Sequence, residues 1–294
     1  MAKTYNDLYL DVRRALRGMG VEAAQLEARE LICCAVGKDR EEFYRDLALY
    51  AAGWAEEKVE QLLSRRVRGE PMAYVIGEWD FCGLTLTVTP EVLIPRTDTE
   101  VLAQEAMDIA EPLENGARVL DLCAGSGCIG LAVATACPNV RVTLAELSED
   151  ALRVCKANVQ RCGLTARAAC VTADALQPPH PSLREFDLVV CNPPYIRRGE
   201  LEELDPSVRD YEPRMALDGG EDGLDFYRAI AKHWGAVLKP GGKLLLEVGF
   251  DQAGAVEILL GVNGFKEVSA IQDTRGIRRV VAGTWPLPPE EANP

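Results

Sequence analysis

Residues 119–130 read Val119-Leu120-Asp121-Leu122-Cys123-Ala124-Gly125-Ser126-Gly127-Cys128-Ile129-Gly130. An apolar run typical of a buried strand here leads into the glycine pattern G-x-G-x-x-G. Glu146 follows about twenty residues later, at the end of the next predicted strand, where a carboxylate can accept the hydroxyls of a ribose. This spacing predicts a nucleotide-type binding site on a doubly wound α/β domain.

The chain on either side of this loop alternates between predicted strands and helices. The strands are predicted at 117–122, 140–145, 167–172, 186–191, 243–248, 265–271 and 277–282, and the helices at 127–136, 149–161, 222–238 and 251–262. This alternation predicts a Rossmann-like sheet, mostly parallel, with helices on both faces. The last two strands leave no room for a crossover helix, so they should form a hairpin that adds one antiparallel strand.

The first seventy residues have a different pattern, with four short apolar stripes at helical spacing. The sequence therefore predicts a helical bundle over residues 1–70, which suits a binding or spacer module. Residues 71–90 are predicted as a β-hairpin connector, residues 91–283 as the catalytic domain and residues 284–294 as a flexible, proline-rich tail. Thr97 and Glu100 predict a capping box for the helix that follows them. Arg96, just before that cap, is either a surface charge or a ligand contact, and the sequence slightly favours the surface.

Composition limits the class of protein. The chain has 294 residues, 48% of them hydrophobic, and a formal net charge of −14. A large core is expected, and a partner with a phosphate backbone is disfavoured because such proteins usually carry a basic face. The ten cysteines form no Cys-x-x-Cys pair and there are two histidines, so no metal site is expected. Reduced cysteines and the lack of a signal peptide or membrane-length apolar run predict a cytoplasmic protein.

Two further carboxylates indicate which ligand the glycine loop takes. Asp121, just before the loop, would repel a pyrophosphate and attract a cationic ammonium group. Asp174, after the third strand, can accept the amine of an adenine. Together with Glu146 they favour S-adenosylmethionine over a nicotinamide dinucleotide. A nicotinamide-dependent oxidoreductase remains an alternative on the glycine pattern alone.

The second informative stretch is the tetrad Asn192-Pro193-Pro194-Tyr195, directly after the predicted strand 186–191. Two prolines make a stiff, extended loop whose carbonyls stay free to accept hydrogen bonds. Asn192 adds an amide and Tyr195 an aromatic face, which together suit a planar amide or amine. A strand-terminating turn is the alternative interpretation, because Asn-Pro and Pro-Pro are common in loops.

Four stretches in order make the sequence similar to a known family. They are Leu-Ile-Pro-Arg-x-Asp-Thr-Glu (93–100), Asp-Leu-Cys-Ala-Gly-Ser-Gly (121–127), Asn-Pro-Pro-Tyr (192–195) and Glu-Pro-x-x-Ala-Leu-x-Gly-Gly-x-Asp-Gly-Leu (212–224). This order resembles the HemK-type protein-(glutamine-N5) methyltransferases, which act on peptide chain release factors. The tetrad alone also occurs in amino-methyltransferases of nucleic acids, which stay an alternative despite the acidic composition. The chain departs from the family at Glu146, where aspartate is usual, and at Cys123, where glycine is usual. Cys123 is expected to need no positive φ if the turn falls at Gly125.

The resemblance implies a role for each part of the chain. Residues 1–70 would help to dock the release factor, and the tetrad would hold the glutamine of its Gly-Gly-Gln loop. The Asn192 oxygen and the Pro193 carbonyl would accept the amide N–H groups, with Pro194 beside them and Tyr195 against the amide plane. A monomer is expected, with no direct contact to nucleic acid or membrane. The residues predicted to bind S-adenosylmethionine are Asp121, Cys123, Ala124, Gly125, Ser126, Gly127, Glu146, Asp174, Ala175 and Asn192.

Overall fold

The structure, a computed structural model, describes residues 2–287. Within these residues the chain forms two compact units. One comprises the chain up to Glu78 together with Asp205–Tyr211, and the other comprises Trp79–Leu204 together with the chain from Glu212 onward. Among residues 2–287, no helix is long and apolar enough to cross a membrane.

The first unit is built from short helices around their own apolar core. These helices are α1 (Tyr5–Gly18), α2 (Ala24–Val36), α3 (Arg40–Arg45), α4 (Gly53–Val67) and α5 (Met72–Ile76). Helices α1 and α3 each begin with a reciprocal cap, formed by Thr4 with Asp7 and by Asp39 with Glu42. Such caps satisfy the backbone N–H groups that a first helical turn leaves unpaired, so they fix where each helix begins.

Helix α5 differs from the sequence prediction, which placed residues 71–90 in a β-hairpin connector. Met72 and Val75 are buried in the core formed by helices α1 to α4, and Gly77 ends the helix with a φ of 82°. Five residues make little more than one turn, which is too short for a helical period to show in a sequence. The predicted hairpin is present but shorter, with β1 (Glu78–Phe81) paired to β2 (Leu84–Thr87).

The second unit alternates strands and helices as predicted. In chain order it contains α6 (Thr99–Ala110), β3 (Ala117–Leu122), α7 (Cys128–Ala136), β4 (Val140–Glu146), α8 (Glu149–Arg161), β5 (Ala168–Thr172) and β6 (Phe186–Cys191). The chain then forms α9 (Pro206–Arg209), which belongs to the first unit, followed by α10 (Asp225–His233), β7 (Leu238–Glu247), α11 (Ala253–Val262), β8 (Lys266–Gln272) and β9 (Arg278–Thr284).

Within residues 2–287 the large sheet has seven strands in the order β5-β4-β3-β6-β7-β9-β8. Strand β9 runs antiparallel to both of its neighbours, while β3 pairs in parallel with β4 and β6. The prediction of a mostly parallel sheet with one antiparallel strand is confirmed. The strand order reverses between β3 and β6, and ligands of open α/β sheets bind in the crevice at such a point.

Both faces of the sheet are buried. Val119 and Leu188 pack with helices α6, α7 and α8, whereas Leu120 and Val189 pack with α10 and α11. Successive side chains of a strand point to opposite faces, so β3 and β6 carry apolar residues toward both faces, with Arg118, Asp121 and Asp187 as the exceptions. This double burial holds the loops at the ends of β3 and β6 on a rigid support.

Two sequence predictions at element ends are wrong. Helix α6 begins at Thr99 without a side-chain cap, so the predicted Thr97–Glu100 box does not form and the Thr99 side chain is free for another contact. The predicted tail starts at Thr284, but Thr284 ends β9 and Trp285 packs edge-on against Phe265, with ring centroids 5.0 Å apart. Residues 288–294 of that tail lie outside the described residues.

Candidate active site

A cavity of about 340 Å³ lies at the carboxyl ends of β3, β4, β5 and β6 in the second unit. Parallel strands present these ends at one edge of the sheet, so loops far apart in sequence meet there. Four predicted site residues, Asp121, Gly127, Pro193 and Tyr195, are not part of the cavity wall. The predicted residues that line the cavity are Cys123, Ala124, Gly125, Ser126, Glu146, Asp174, Ala175, Asn192 and Pro194.

Glycine occupies three positions in the loop after β3, and the structural reason differs between them. A Cβ on Gly130 would lie 2.5 Å from a Leu144 methyl, and one on Gly127 would lie 3.0 Å from the Cys155 sulfur, so both positions are set by close packing. A Cβ on Gly125 would meet nothing within 4 Å, and its φ is 54°. The open side of the loop is therefore at Gly125, which lines the cavity.

Cys123 corrects the prediction that this position needs no positive φ. Its φ is 59°, in the left-handed region that costs a residue with a side chain roughly 1–2 kcal/mol. The turn therefore includes position 123 as well as Gly125. Cys123 follows the end of β3 and lines the cavity, in a backbone conformation that glycine adopts without this cost.

Asp121, a buried residue of β3, holds the glycine loop through a hydrogen bond. Its side chain is fully buried, and Oδ2 accepts a hydrogen bond from the Gly130 N–H at 2.8 Å. Oδ1 has no hydrogen-bond partner among the described residues. Burial raises the pKa of Asp121 to about 7. Since Asp121 is not in the cavity wall, its charge would act on a bound cation through the loop, and direct contact stays a prediction.

Glu146 sits where the sequence placed it, but its carboxylate is already engaged. Oε1 accepts from the N–H groups of Leu147 at 2.8 Å and Ser148 at 2.9 Å, and Oε2 accepts from the Gly125 N–H at 2.9 Å. Each carboxylate oxygen has two lone pairs. Both lone pairs of Oε1 accept hydrogen bonds in this conformation, so the one lone pair still available belongs to Oε2. The longer glutamate side chain thus also ties the turn after β4 to the glycine loop. Asp174 lines the cavity too, and its Oδ1 accepts from the Leu176 N–H at 2.9 Å.

The tetrad is held by residues that the sequence analysis did not identify. The Asn192 amide nitrogen donates to the Thr99 hydroxyl at 3.2 Å, and the Tyr195 hydroxyl donates to Glu247 Oε1 at 3.4 Å. Burial, and then the charge of Glu247, raises the pKa of Tyr195 above its ordinary value. Glu247 follows three leucines in the predicted strand 243–248, and an acidic residue there was a sequence signal, because a buried charge is costly unless it is paired.

The motif 212–224 packs against the tetrad and forms a hydrogen bond to the residue that follows it. A Cβ on Gly219 would lie 2.7 Å from the Tyr195 Cα, so only glycine allows this approach. The Gly219 N–H donates to the Ile196 carbonyl at 2.9 Å. Glu212, with 1% of its side chain exposed, forms an ion pair with Arg96. Arg96 lines the cavity and keeps 39% of its side chain exposed, so contact with a ligand, the alternative that the sequence left open, stays a prediction.

The cavity fits S-adenosylmethionine. The open position at Gly125 allows a ligand to approach the backbone of the loop, and Glu146 keeps one acceptor lone pair beside it. The unpartnered Oδ1 of Asp121 adds negative potential below the loop. The charged residues of the wall are Glu91, Glu146, Asp150, Asp174, Arg96 and Arg214, an acidic excess that favours a cationic ligand.

Comparison with known proteins agrees with this geometry. Residues 97–205 match the family described as Methyltransferase small domain, and residues 7–77 match the PrmC N-terminal domain. A methyltransferase from Pyrococcus furiosus superposes with a TM-score of 0.53 at 17% identity, covering 78% of this chain and all of its own, and it shows the fold alone.

Two curated relatives share most of the sequence, and both are named Release factor glutamine methyltransferase. The protein from Geobacter sulfurreducens is 42% identical over 271 residues, which cover 92% of this chain and 93% of its own. The protein from Caulobacter vibrioides is 38% identical over 268 residues, which cover 91% of this chain and 92% of its own. With such identity across both units, the chain belongs to the release factor glutamine methyltransferase family.

Proposed function

We propose that the protein transfers the methyl group of S-adenosylmethionine to N5 of the glutamine in the Gly-Gly-Gln loop of peptide chain release factors. The orientation of Asn192 carries this proposal. Its amide nitrogen is engaged by Thr99, and Oδ1 accepts from no group among the described residues, so an acceptor is left for a substrate. A substrate amide brings two N–H donors and is matched by acceptors, whereas a carboxylate would need donors.

The main task of the protein in this reaction is to position the amide nitrogen and the methyl group. An amide nitrogen is a weak nucleophile because its lone pair is delocalised into the carbonyl. When bound, S-adenosylmethionine supplies an electrophilic methyl group on a sulfonium. Asn192 Oδ1 and the Pro193 carbonyl would each accept one N–H of the glutamine, which fixes the nitrogen and directs its lone pair. Holding two reactants in line can supply roughly 7–11 kcal/mol of a barrier.

The tetrad has no side chain that acts as a strong base. It contains an amide, two prolines and a phenol whose pKa is raised by burial. A base is not needed before transfer, because the proton can leave after the nitrogen has gained the methyl group. Tyr195 would pack against the amide plane, as the sequence analysis expects, with its hydroxyl held by Glu247.

The reaction would take place in the cytoplasm on a monomeric enzyme. The helices of residues 1–70 would supply the docking surface for the release factor. The support is that residues 7–77 match a family model of their own, the PrmC N-terminal domain, whereas the cavity lies in the second unit. A docking role predicts that the enzyme has a much lower KM for an intact release factor than for a short peptide with the same Gly-Gly-Gln loop. Equal KM values would contradict it.

The function is tested with labelled S-adenosylmethionine and three acceptors: a release factor, the same factor with its loop glutamine changed to alanine, and a mixture of DNA and RNA. We expect label in the first and none in the other two. Label in the alanine variant at an equal rate, or label in nucleic acid alone, would contradict the proposal and favour a different acceptor.

A further inference from the structure

Gln252 is a buried residue that does not line the cavity and has no part in the mechanism described above. It directly precedes helix α11, and only 4% of the residue is exposed. Burial of a side-chain amide costs free energy unless its donors and its oxygen find hydrogen-bond partners. The position of Gln252 therefore raises the question of which groups its amide holds.

The Gln252 amide joins three segments that are far apart in the chain. Its nitrogen donates to the Tyr195 carbonyl at 2.9 Å and to the Gly223 carbonyl at 3.1 Å. Its oxygen accepts from the Gly249 N–H at 3.0 Å. These partners belong to the tetrad, to the motif 212–224 and to the turn after β7. A reversed amide would place its oxygen against two carbonyls, which only accept, so the partners fix its orientation.

Two glycines allow the amide to approach this closely. A Cβ on Gly223 would lie 2.6 Å from the Gln252 amide nitrogen and 2.5 Å from the Tyr195 carbonyl oxygen. A Cβ on Gly249 would lie 2.7 Å from Gln252 Oε1. A side chain at either position would displace the amide, so its contact with the tetrad depends on both glycines.

The tetrad offers few backbone groups by which the rest of the protein can hold it. Its two prolines have no N–H, and the carbonyl of the first is the acceptor assigned to the substrate. Directly after the tetrad, the Ile196 N–H donates to the Leu217 carbonyl at 3.0 Å. The Tyr195 carbonyl lies between that bond and the prolines. The Gln252 amide therefore holds the tetrad at its last residue.

We propose that Gln252 is a positioning residue for methyl transfer, whose amide holds the Tyr195 carbonyl so that the tetrad keeps its acceptors directed at the substrate. These acceptors are the Asn192 oxygen and the Pro193 carbonyl. The role rests on the proposed function, because the substrate amide is what they receive. Gln252 is not part of the cavity wall and acts through the backbone of the tetrad.

The first test is Gln252→Glu, which keeps the shape of the side chain. A carboxyl group has at most one donor hydrogen, so at least one of the two carbonyls loses its donor. The variant should lower kcat about tenfold or more, since a displacement of about 1 Å can cost 10²-fold. The dissociation constant of S-adenosylmethionine and most of the KM for the release factor should stay unchanged. Gln252→Met removes both donors without a buried charge and should give the same separation of kcat from binding, also where the first variant does not fold.

Asn139→Asp is the matched control. The Asn139 amide nitrogen also donates to two main-chain carbonyls, those of Ala110 at 3.0 Å and Leu113 at 2.8 Å. Asn139 precedes β4, at the edge of the sheet opposite to the cavity. The control loses the same kind of donor, so it should lower stability and leave kcat unchanged. Wild-type kcat in both Gln252 variants, or an equal loss of kcat in Asn139→Asp, would overturn the proposal.

A second measurement needs no substrate and separates this inference from the proposed function. Native-state hydrogen exchange, followed by NMR, reports the Ile196 N–H, bonded to the Leu217 carbonyl, and the Gly219 N–H, bonded to the Ile196 carbonyl. Both should exchange faster in Gln252→Met but not in Asn139→Asp.

The faster exchange should be confined to the segment around the tetrad, because a general loss of stability would also speed exchange in strand β3. Unchanged exchange of Ile196 and Gly219 in Gln252→Met would refute the positioning role. The expected exchange pattern together with a wild-type protein that methylates no release factor would refute the proposed function alone.

Discussion

Asn192 donates its amide N–H to the Thr99 hydroxyl at 3.2 Å, across a separation of 93 residues in the chain. Thr99 opens helix α6 and Asn192 follows strand β6. The bond joins two of the four stretches on which the resemblance to the family is based, the stretch 93–100 and the tetrad. The ion pair of Arg96 with Glu212 joins the first motif to the fourth. Three of the four stretches therefore support one another in one site.

Replacing Asn192 by alanine should lower the rate of methyl transfer by about 10² to 10³, the usual effect of losing one positioned hydrogen-bonding group in an active site. Binding of S-adenosylmethionine should be nearly intact, because the glycine loop and its carboxylates remain. Asn263→Ala is a suitable control, since that amide contacts the Leu259 carbonyl of its own helix. Transfer within about fivefold of the wild-type rate would rule out the assigned role.

Gly219→Ala should damage catalysis by displacing the tetrad, although Gly219 itself does not line the cavity. A Cβ at this position would lie 2.7 Å from the Tyr195 Cα and 2.9 Å from the Pro194 carbonyl oxygen, so the tetrad must move. A misplacement of about 1 Å can cost 10²-fold in rate. Gly199→Ala is the matched control, because a Cβ there meets nothing within 4 Å. Steady-state kinetics and calorimetric titration would show kcat reduced only in the first variant. Equal kcat values in the two would contradict the close-approach argument.

Glu146→Ala should weaken S-adenosylmethionine binding by roughly 1.5–3 kcal/mol, the scale of hydrogen bonds to a charged group. The variant also loses the tie between Glu146 and the Gly125 N–H. Glu146→Gln removes the charge but keeps one acceptor oxygen, which can serve the Gly125 N–H or the N–H groups of Leu147 and Ser148 but not both. Calorimetric titration of both variants decides the point. A dissociation constant equal to that of the wild type would mean that the ribose is held by other groups.

Binding of the cofactor should depend on pH through Asp121. Its pKa in the ligand-free protein is raised to about 7 by burial, so below pH 7 much of it is protonated and neutral. A bound ammonium group favours the ionised form, and binding must then release a proton. Affinity should rise from pH 5.5 to pH 7, below the pKa of about 7.7–8.0 expected for the α-amino group of the ligand.

Asp121→Asn should remove most of that pH dependence, and calorimetry in buffers of different ionisation enthalpy would count the released protons. The same raised pKa has a consequence for folding. A group whose folded pKa lies above its unfolded value stabilises most at low pH, so Asp121 should reduce the free energy of unfolding as the pH rises from 4 to 7. A binding curve in Asp121→Asn with the wild-type pH dependence would show that another group titrates.

The sequence alone predicts those parts of the fold that depend on local patterns of residues. Strands β3 and β6 have their predicted bounds because each apolar run ends at a group that stops a strand, the glycine loop or the Asn-Pro pair. The family, the fold class, the enzyme class and S-adenosylmethionine as cofactor are confirmed by the relatives. These conclusions depend on periodicity and on short motifs, which a single sequence contains in full.

The features that the sequence did not predict depend on contacts between distant parts of the chain. The φ of Cys123, the pairing of Arg96 with Glu212 and the contact of Thr99 with Asn192 each depend on how loops meet at the edge of the sheet. A sequence pattern shows residue types and spacing but not which loops are neighbours. The contact of Glu247 with the Tyr195 hydroxyl was missed for the same reason, although an acidic residue after three leucines was visible in the sequence.

The most direct test of the central claim, that the site is built for a side-chain amide, is methyl incorporation into three release factors that differ at the loop glutamine. Glutamine should be methylated at N5. Asparagine should react far more slowly, because its nitrogen falls about 1.5 Å short and a misplacement of about 1 Å can cost 10²-fold. Glutamate should not react, because burying its charge against two acceptors costs several kcal/mol. Methylation of glutamate as fast as glutamine would contradict the account, because the enzyme would then be a carboxyl methyltransferase.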